Sequence, residues 1–191
     1  QIHRRFSMQP DGTMELAQTM VNKNSRTVIR GIWDVTQLDR PFDVYVPAVK
    51  ENVRSYHLED PTLPVHQVVI QEDDGFCRIP CVDDQLFKFG GVPTAGMLLC
   101  LREDPSGVLA FSKTFDLGHE ASYLHRSAVE VYNSKDYGYL EVEVHAPAVA
   151  LAPGQQASHR QMWTLNRFPR SLGPRKIWDE LKRAKRSQTE N

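Results

Sequence analysis

The chain of 191 residues has only three cysteines, an odd number that cannot close into a full set of disulfides. Cys77 and Cys81 have no second paired cluster, which is poor zinc-site spacing, so all three thiols are expected to be free and buried. Charge of one sign is also lacking. With 23 basic and 24 acidic residues, no surface-wide field draws in nucleic acid. No apolar run reaches the roughly 18 to 20 residues that a membrane-crossing helix needs. The longest, Met97 to Leu101, has the length of a strand. No basic-then-apolar leader precedes the strand-like sequence that begins at Ile2. The chain is therefore expected to be the later part of a larger sheet protein, incomplete at its N-terminal edge. That start leaves the compartment open between cytoplasm and periplasm. The Gly90-Gly91 pair opens no helix and no Gly-x-Ser-x-Gly elbow occurs, which removes phosphate-loop nucleotide binding and esterase chemistry. No cofactor motif remains, and oligomeric state is not written in these features.

What is there is alternation. Ile2, Phe6 and Met8 share one parity, and after the Pro10-Asp11-Gly12 turn Met14, Leu16 and Met20 share another, which predicts a hairpin. Beyond the Asn22-Lys23-Asn24-Ser25 turn, Thr27 to Gln37 reads as one strand with Ile29, Trp33 and Val35 on one face. Four prolines between Leu38 and Pro64 predict mostly loop around a short strand from Asp43 to Val46. Strands then recur at Gln67–Gln71, Phe76–Val82, Leu86–Phe89, Gly96–Arg102, Val108–Phe115, Ala128–Asn133, Tyr139–His145 and His159–Asn166. Turns such as Asp73-Asp74-Gly75 separate them without intervening helices. That pattern selects an all-β, antiparallel sandwich over a parallel α/β sheet. Only the end differs: Pro174 followed by Ile177, Trp178, Leu181 and Ala184, ringed by Lys176, Arg183, Lys185 and Arg186, predicts a short helix with a solvated basic face. Residues 1–172 are thus expected to form the sandwich domain, and residues 173–191 a helix and polar tail.

The densest polar constellation is Tyr139-Leu140-Glu141-Val142-Glu143-Val144-His145, where alternation sends Glu141, Glu143 and His145 to one face and the aliphatics to the core. Val129 to Tyr132, the expected hairpin partner, adds Glu130 and Tyr132 beside them. Such a face suits hydrogen bonding to sugar hydroxyls and general-base work on one of them; a solvated strand face is the competing reading. Trp33 offers a platform for a pyranose ring with Asp34 and Gln37 as polar anchors, against the alternative of a buried core indole. Lys88, flanked by Phe87 and Phe89, is set against a ligand oxygen or else snorkels to the surface. His119, Glu120 and His125 lie in a connection with no second cluster at metal-ligand spacing, and are expected to be solvated.

Four segments resemble one family. They are Met20-Val21-Asn22-Lys23-Asn24-Ser25, Gly31-Ile32-Trp33-Asp34-Val35-Thr36-Gln37-Leu38, Tyr139-Leu140-Glu141-Val142-Glu143, and Leu151-Ala152-Pro153-Gly154-Gln155 before Trp163. Together they are similar to the galactose mutarotase-like (aldose 1-epimerase-like) superfamily, and more narrowly to a bacterial branch of it. The resemblance implies an antiparallel β-supersandwich that binds carbohydrate on a concave face. In aldose 1-epimerases a Glu removes the anomeric hydroxyl proton and a His protonates the ring oxygen. Glu141 best matches that Glu, with Glu143 in reserve. Trp33 stands where the acid His is placed, and an indole has no proton of useful acidity. The expectation is a carbohydrate-binding domain, with Trp33, Asp34, Gln37 and Lys88 against the ligand and isomerase activity resting on Glu141 or Glu143. The alternative is a non-catalytic interaction module.

Overall fold

Alternating sequence becomes antiparallel sheet throughout the computed structural model, which describes residues 1–56, 64–72, 74–83 and 85–189. Eight strands form the larger sheet, in the order β1 (Ile2–Met8), β2 (Met14–Val21), β15 (Gln156–Phe168), β11 (Gly107–Phe115), β10 (Met97–Asp104), β5 (Phe42–Val46), β8 (Cys77–Cys81) and β7 (Ile70–Gln71). A five-stranded sheet packs on it, in the order β4 (Trp33–Asp39), β13 (Tyr139–His145), β12 (Val129–Asn133), β9 (Phe87–Gly91) and β6 (Arg54–Ser55). A small third sheet pairs β14 (Val149–Leu151) with β3 (Val28–Arg30). The helices are α1 (Val65–Val68) and α2 (Pro174–Thr189), the latter starting on a proline whose missing N–H has no role in the first turn.

The main core lies between the two large sheets. Alternation delivers Phe42 and Val44, Phe87 and Phe89, Leu98 and Cys100, and Leu140, Val142 and Val144 into it. The apolar run Met97 to Leu101 is continuous because β10 is covered on both sides. Leu98 and Cys100 face the sandwich, while Leu99 and Leu101 face α2, which docks through Ile177 and Trp178. All three cysteines are buried free thiols.

Three strand readings needed correction. The strand expected from Thr27 to Gln37 breaks at Gly31-Ile32, and its halves join different sheets. A Cβ on Gly31 would stand 2.8 Å from the Ala146 carbonyl oxygen, and Ile32 turns into a small core with Met20, Ala146 and Leu151. Ile29, Trp33 and Val35 are all exposed. The segment from Gln67 to Gln71 begins inside the helical turn α1 and extends only at β7, because Pro64 seeds the turn. Strand β14, absent from the sequence reading, exists because β3 needs a partner. The loop reading at residues 57–63, Asp73 of the expected turn, and the side chains of Ala184, Lys185 and Arg186 lie outside what the structure describes.

One charged pair sits inside the sandwich. Lys113 of β11 reaches Asp34 of β4 at 2.5 Å and Thr36 Oγ1 at 2.8 Å, and it lies over the Trp163 ring. Burial pulls the Lys113 ammonium below its ordinary value, and Asp34 opposes that pull. Nearby, burial holds the His159 imidazole below its ordinary 6.5, with Asp34 and Asp116 opposing.

Two outcomes follow. Leu140 is fully buried, so Leu140→Ala should cost about 2–5 kcal/mol in denaturant unfolding. Unfolded His159 takes up its proton at higher pH than folded His159, so stability should fall as pH drops from 6.5 toward the folded value. His159→Gln should flatten that part of the stability–pH curve; an unchanged slope would contradict a buried neutral imidazole.

Candidate functional site

The site is built on the outer face of the five-stranded sheet, opposite the core. With Leu140, Val142 and Val144 turned inward, β13 presents Tyr139, Glu141, Glu143 and His145 outward. Strand register then assembles neighbours across the sheet. Trp33 lies beside His145, Val35 beside Glu143 and Gln37 beside Glu141. On the other side Glu130 faces Glu143, Tyr132 faces Glu141, Lys88 faces Tyr132 and Gly90 faces Glu130.

Glu130 and Glu143 are therefore directly opposed, and both are fully buried although they belong to the outer face. Two like charges in that position repel unless something sits between them. Lys88 does so: its ammonium is 2.9 Å from Glu130 Oε2 and 3.0 Å from Glu143 Oε1. The Trp33 indole donates from Nε1 to Glu143 Oε2 at 2.8 Å, stacks on the His145 ring at 5.7 Å and lies 5.2 Å from the Lys88 ammonium. Its other face stays open, with 47% of the residue exposed. Gly90 makes room for this packing. A Cβ there would stand 2.8 Å from both Glu130 Cγ and Tyr56 Cε2.

His125 completes the cluster from a loop that folds back over β12. Arg54 ties that loop down, donating to the Arg126 carbonyl at 3.0 Å and to Glu120 at 2.6 Å. The Tyr56 hydroxyl donates to the His125 carbonyl at 2.9 Å and also bonds Ser127. His125 Nδ1 is 3.1 Å and His145 Nε2 3.3 Å from the same oxygen, Glu130 Oε1.

The environment pushes the two carboxyls apart in acidity. Burial raises Glu143, and the charge of Glu130 adds to this against the pull of Lys88 and Trp33. Burial would raise Glu130 as well, but contacts from His145 and Lys88 outweigh it and hold the group well below the usual carboxylate range. His145 Nε2 stands 3.3 Å from Glu130 Oε1 and the Lys88 ammonium 2.9 Å from Glu130 Oε2, and both contacts favour the charged carboxylate. Burial also works against the Lys88 ammonium, and its two carboxylate partners more than offset it. Two neighbouring carboxyls whose acidities are pushed in opposite directions are an arrangement suited to acid–base chemistry.

The structure brings Trp33, Lys88 and Glu143 together. Glu141 and Gln37, hydrogen-bonded to each other at 3.0 Å, lie on the same face roughly 7 Å further along the strands. Asp34 does not join them. Its parity is opposite to that of Trp33, and it points inward to Lys113. Of the two readings of Lys88, plain snorkelling falls away because its ammonium joins two carboxylates, and His125 is half exposed as expected but not isolated, with Nδ1 3.1 Å from Glu130 Oε1. Sequence spacing missed His125 because a loop supplies it. Glycines inside β9 were the available signal, since a strand glycine marks a close approach. A cleft of about 480 Å³ lies on the far side of the larger sheet beside α2, lined by residues such as Ser112, Thr164 and Asn166. It holds none of these histidines or buried carboxylates.

A model of DUF4380, a domain of unknown function, matches residues 1–166. The chain belongs to the DUF4380 family. No curated protein matches it. Among solved structures it is similar to a galactose mutarotase-like protein from Lactobacillus casei, at 10% identity and a TM-score of 0.55 over 84% of this chain and 61% of that one. A galactose mutarotase related enzyme from Lactobacillus acidophilus matches at 14% identity and a TM-score of 0.52, over 88% of this chain and 62% of that one. The Slr1438 protein of Synechocystis matches at 11% identity and a TM-score of 0.54, over 87% of this chain and 55% of that one. At such identities the likeness establishes the fold alone, a mutarotase-like antiparallel β-sandwich. This DUF4380 chain spans less than two thirds of the length of each of these structures.

Gly90→Ala in this DUF4380 chain should displace Tyr56 or Glu130 and cost about 1–3 kcal/mol by overpacking. Thermal unfolding checks the cost, and an unshifted melting temperature would contradict the crowding.

Proposed function

We propose that the outer face of the five-stranded sheet binds a carbohydrate, and that turnover on it is the anomer interconversion of an aldose 1-epimerase. The observation that carries this reading is Trp33. Its indole is half exposed as a platform for an apolar sugar face, while its N–H is committed to Glu143, so ring and carboxyl are held in one unit. Glu141, part exposed on the same face, is the base that takes a proton from a hydroxyl of a sugar resting against Trp33, while the buried Glu143 and Lys88 hold the indole and stabilise charge beside it. Gln37, hydrogen-bonded to Glu141, extends the polar face for further hydroxyl contacts. The competing reading, an interaction module whose acidic face is merely solvated, does not account for two opposed carboxylates being withdrawn from water.

The test uses the full-length protein and a panel of freshly dissolved aldoses. Anomer exchange followed by NMR or polarimetry should be accelerated for at least one sugar, and that sugar should shift the tryptophan fluorescence. Trp33→Ala should abolish the fluorescence response. Glu141→Gln should slow exchange by about 100-fold or more, while Glu143→Gln should have a smaller effect. Absence of both acceleration and binding across the panel would refute the carbohydrate reading. A larger loss with Glu143→Gln would move the base to that residue.

A further inference from the structure

We propose that His125, Glu130 and His145 form a binding site for one divalent transition-metal ion of the zinc and cobalt type. One donor atom from each of the three residues lies within 4.8 Å of the other two. Glu130 Oε1 is 3.1 Å from His125 Nδ1 and 3.3 Å from His145 Nε2. With bonds of about 2.0–2.1 Å, a tetrahedral ion holds neighbouring donors about 3.3–3.4 Å apart. Two imidazoles and one carboxylate also favour such an ion over magnesium or calcium, which prefer all-oxygen shells.

A second observation points to a missing partner. His145 Nε2 is buried without a hydrogen-bond partner, and its near neighbour is Glu130 Oε1 at 3.3 Å. A buried polar nitrogen left without a partner is costly, and a cation at the common focus of the three donors supplies one. The surroundings hold the ligands in place. Lys88 occupies Glu130 Oε2 and leaves Oε1 to the ion, Trp33 stacking orients the His145 ring, and Tyr56 fixes the His125 backbone. The His125 side chain is 49% exposed, so the fourth position opens to solvent. Three protein ligands with one open position form the pattern of a site that presents its ion to a ligand oxygen. Such an ion would supply an electrophile next to Trp33, which stands where the acid histidine is expected. That last role rests on the carbohydrate reading, whereas ion binding does not.

The experiment strips the full chain with a chelator and titrates Co²⁺ in the absence of sugar. We expect one equivalent to bind, with the intense visible absorption of a four- or five-coordinate ion, and Zn²⁺ to displace it. His125→Gln should lower the affinity by at least about tenfold, and because His125 sits in a half-exposed loop the fold should survive the change. His145→Gln should do the same, while His3→Gln and His66→Gln, at exposed positions, should leave binding unchanged. No binding, a purely octahedral spectrum, or an affinity unaffected by His125→Gln would overturn the site. Epimerisation by chelated protein would leave ion binding intact but remove the electrophile role.

Discussion

The outer face of the five-stranded sheet depends on one interaction, the Lys88 ammonium held between the opposed carboxyls of Glu130 and Glu143. Without it, register would place two buried acids against each other on adjacent strands, which electrostatics forbids. With it, both carboxyls have a cationic partner and their acidities are pushed in opposite directions. The neighbouring rings then pack onto the clamp: Trp33 on His145 and over Lys88, and Tyr56 across Gly90. The result is a polar cluster that is partly dry although it lies on a sheet face. In such surroundings charge interactions are stronger than in water and unpaired atoms are more costly.

The other side of the same sheet repeats the theme with a different outcome. Lys113 and Asp34 are paired across the sandwich, and Thr36 and the Val142 carbonyl complete the lysine's partners. That pair joins the two sheets inside an otherwise apolar core, which is a role in registry more than in chemistry. Adjacent residues on β4 thus serve opposite sides: Trp33 faces outward to the candidate site and Asp34 inward to the core. Alternation alone accounts for the division.

Much of this was legible in the residues. The period-two pattern of Tyr139 to His145 specified which side chains face the core, and Pro174 with Ile177 and Trp178 marked the helix. The pairing of Val129 to Tyr132 with that strand put Glu130 among the acids of the face. The break at Gly31-Ile32 was not legible, because β-branched residues continue through it and the cause is a close approach by Ala146, more than a hundred residues away. His125 was illegible for a similar reason. It reaches Glu130 through a loop held by Arg54, and no local spacing records that contact.

What the sequence alone determined is therefore the class of the fold and the facing of its clearly alternating strands, such as Tyr139 to His145, since both follow from short-range periodicity and turn chemistry. Tertiary structure decided which residues on a face meet. It gathered Trp33, Lys88 and Glu143 at one point and added His125 from a distant loop. The physical reason is that strand direction is a local property of the chain, whereas the register between strands and the path of a loop are settled only when the sheets pack.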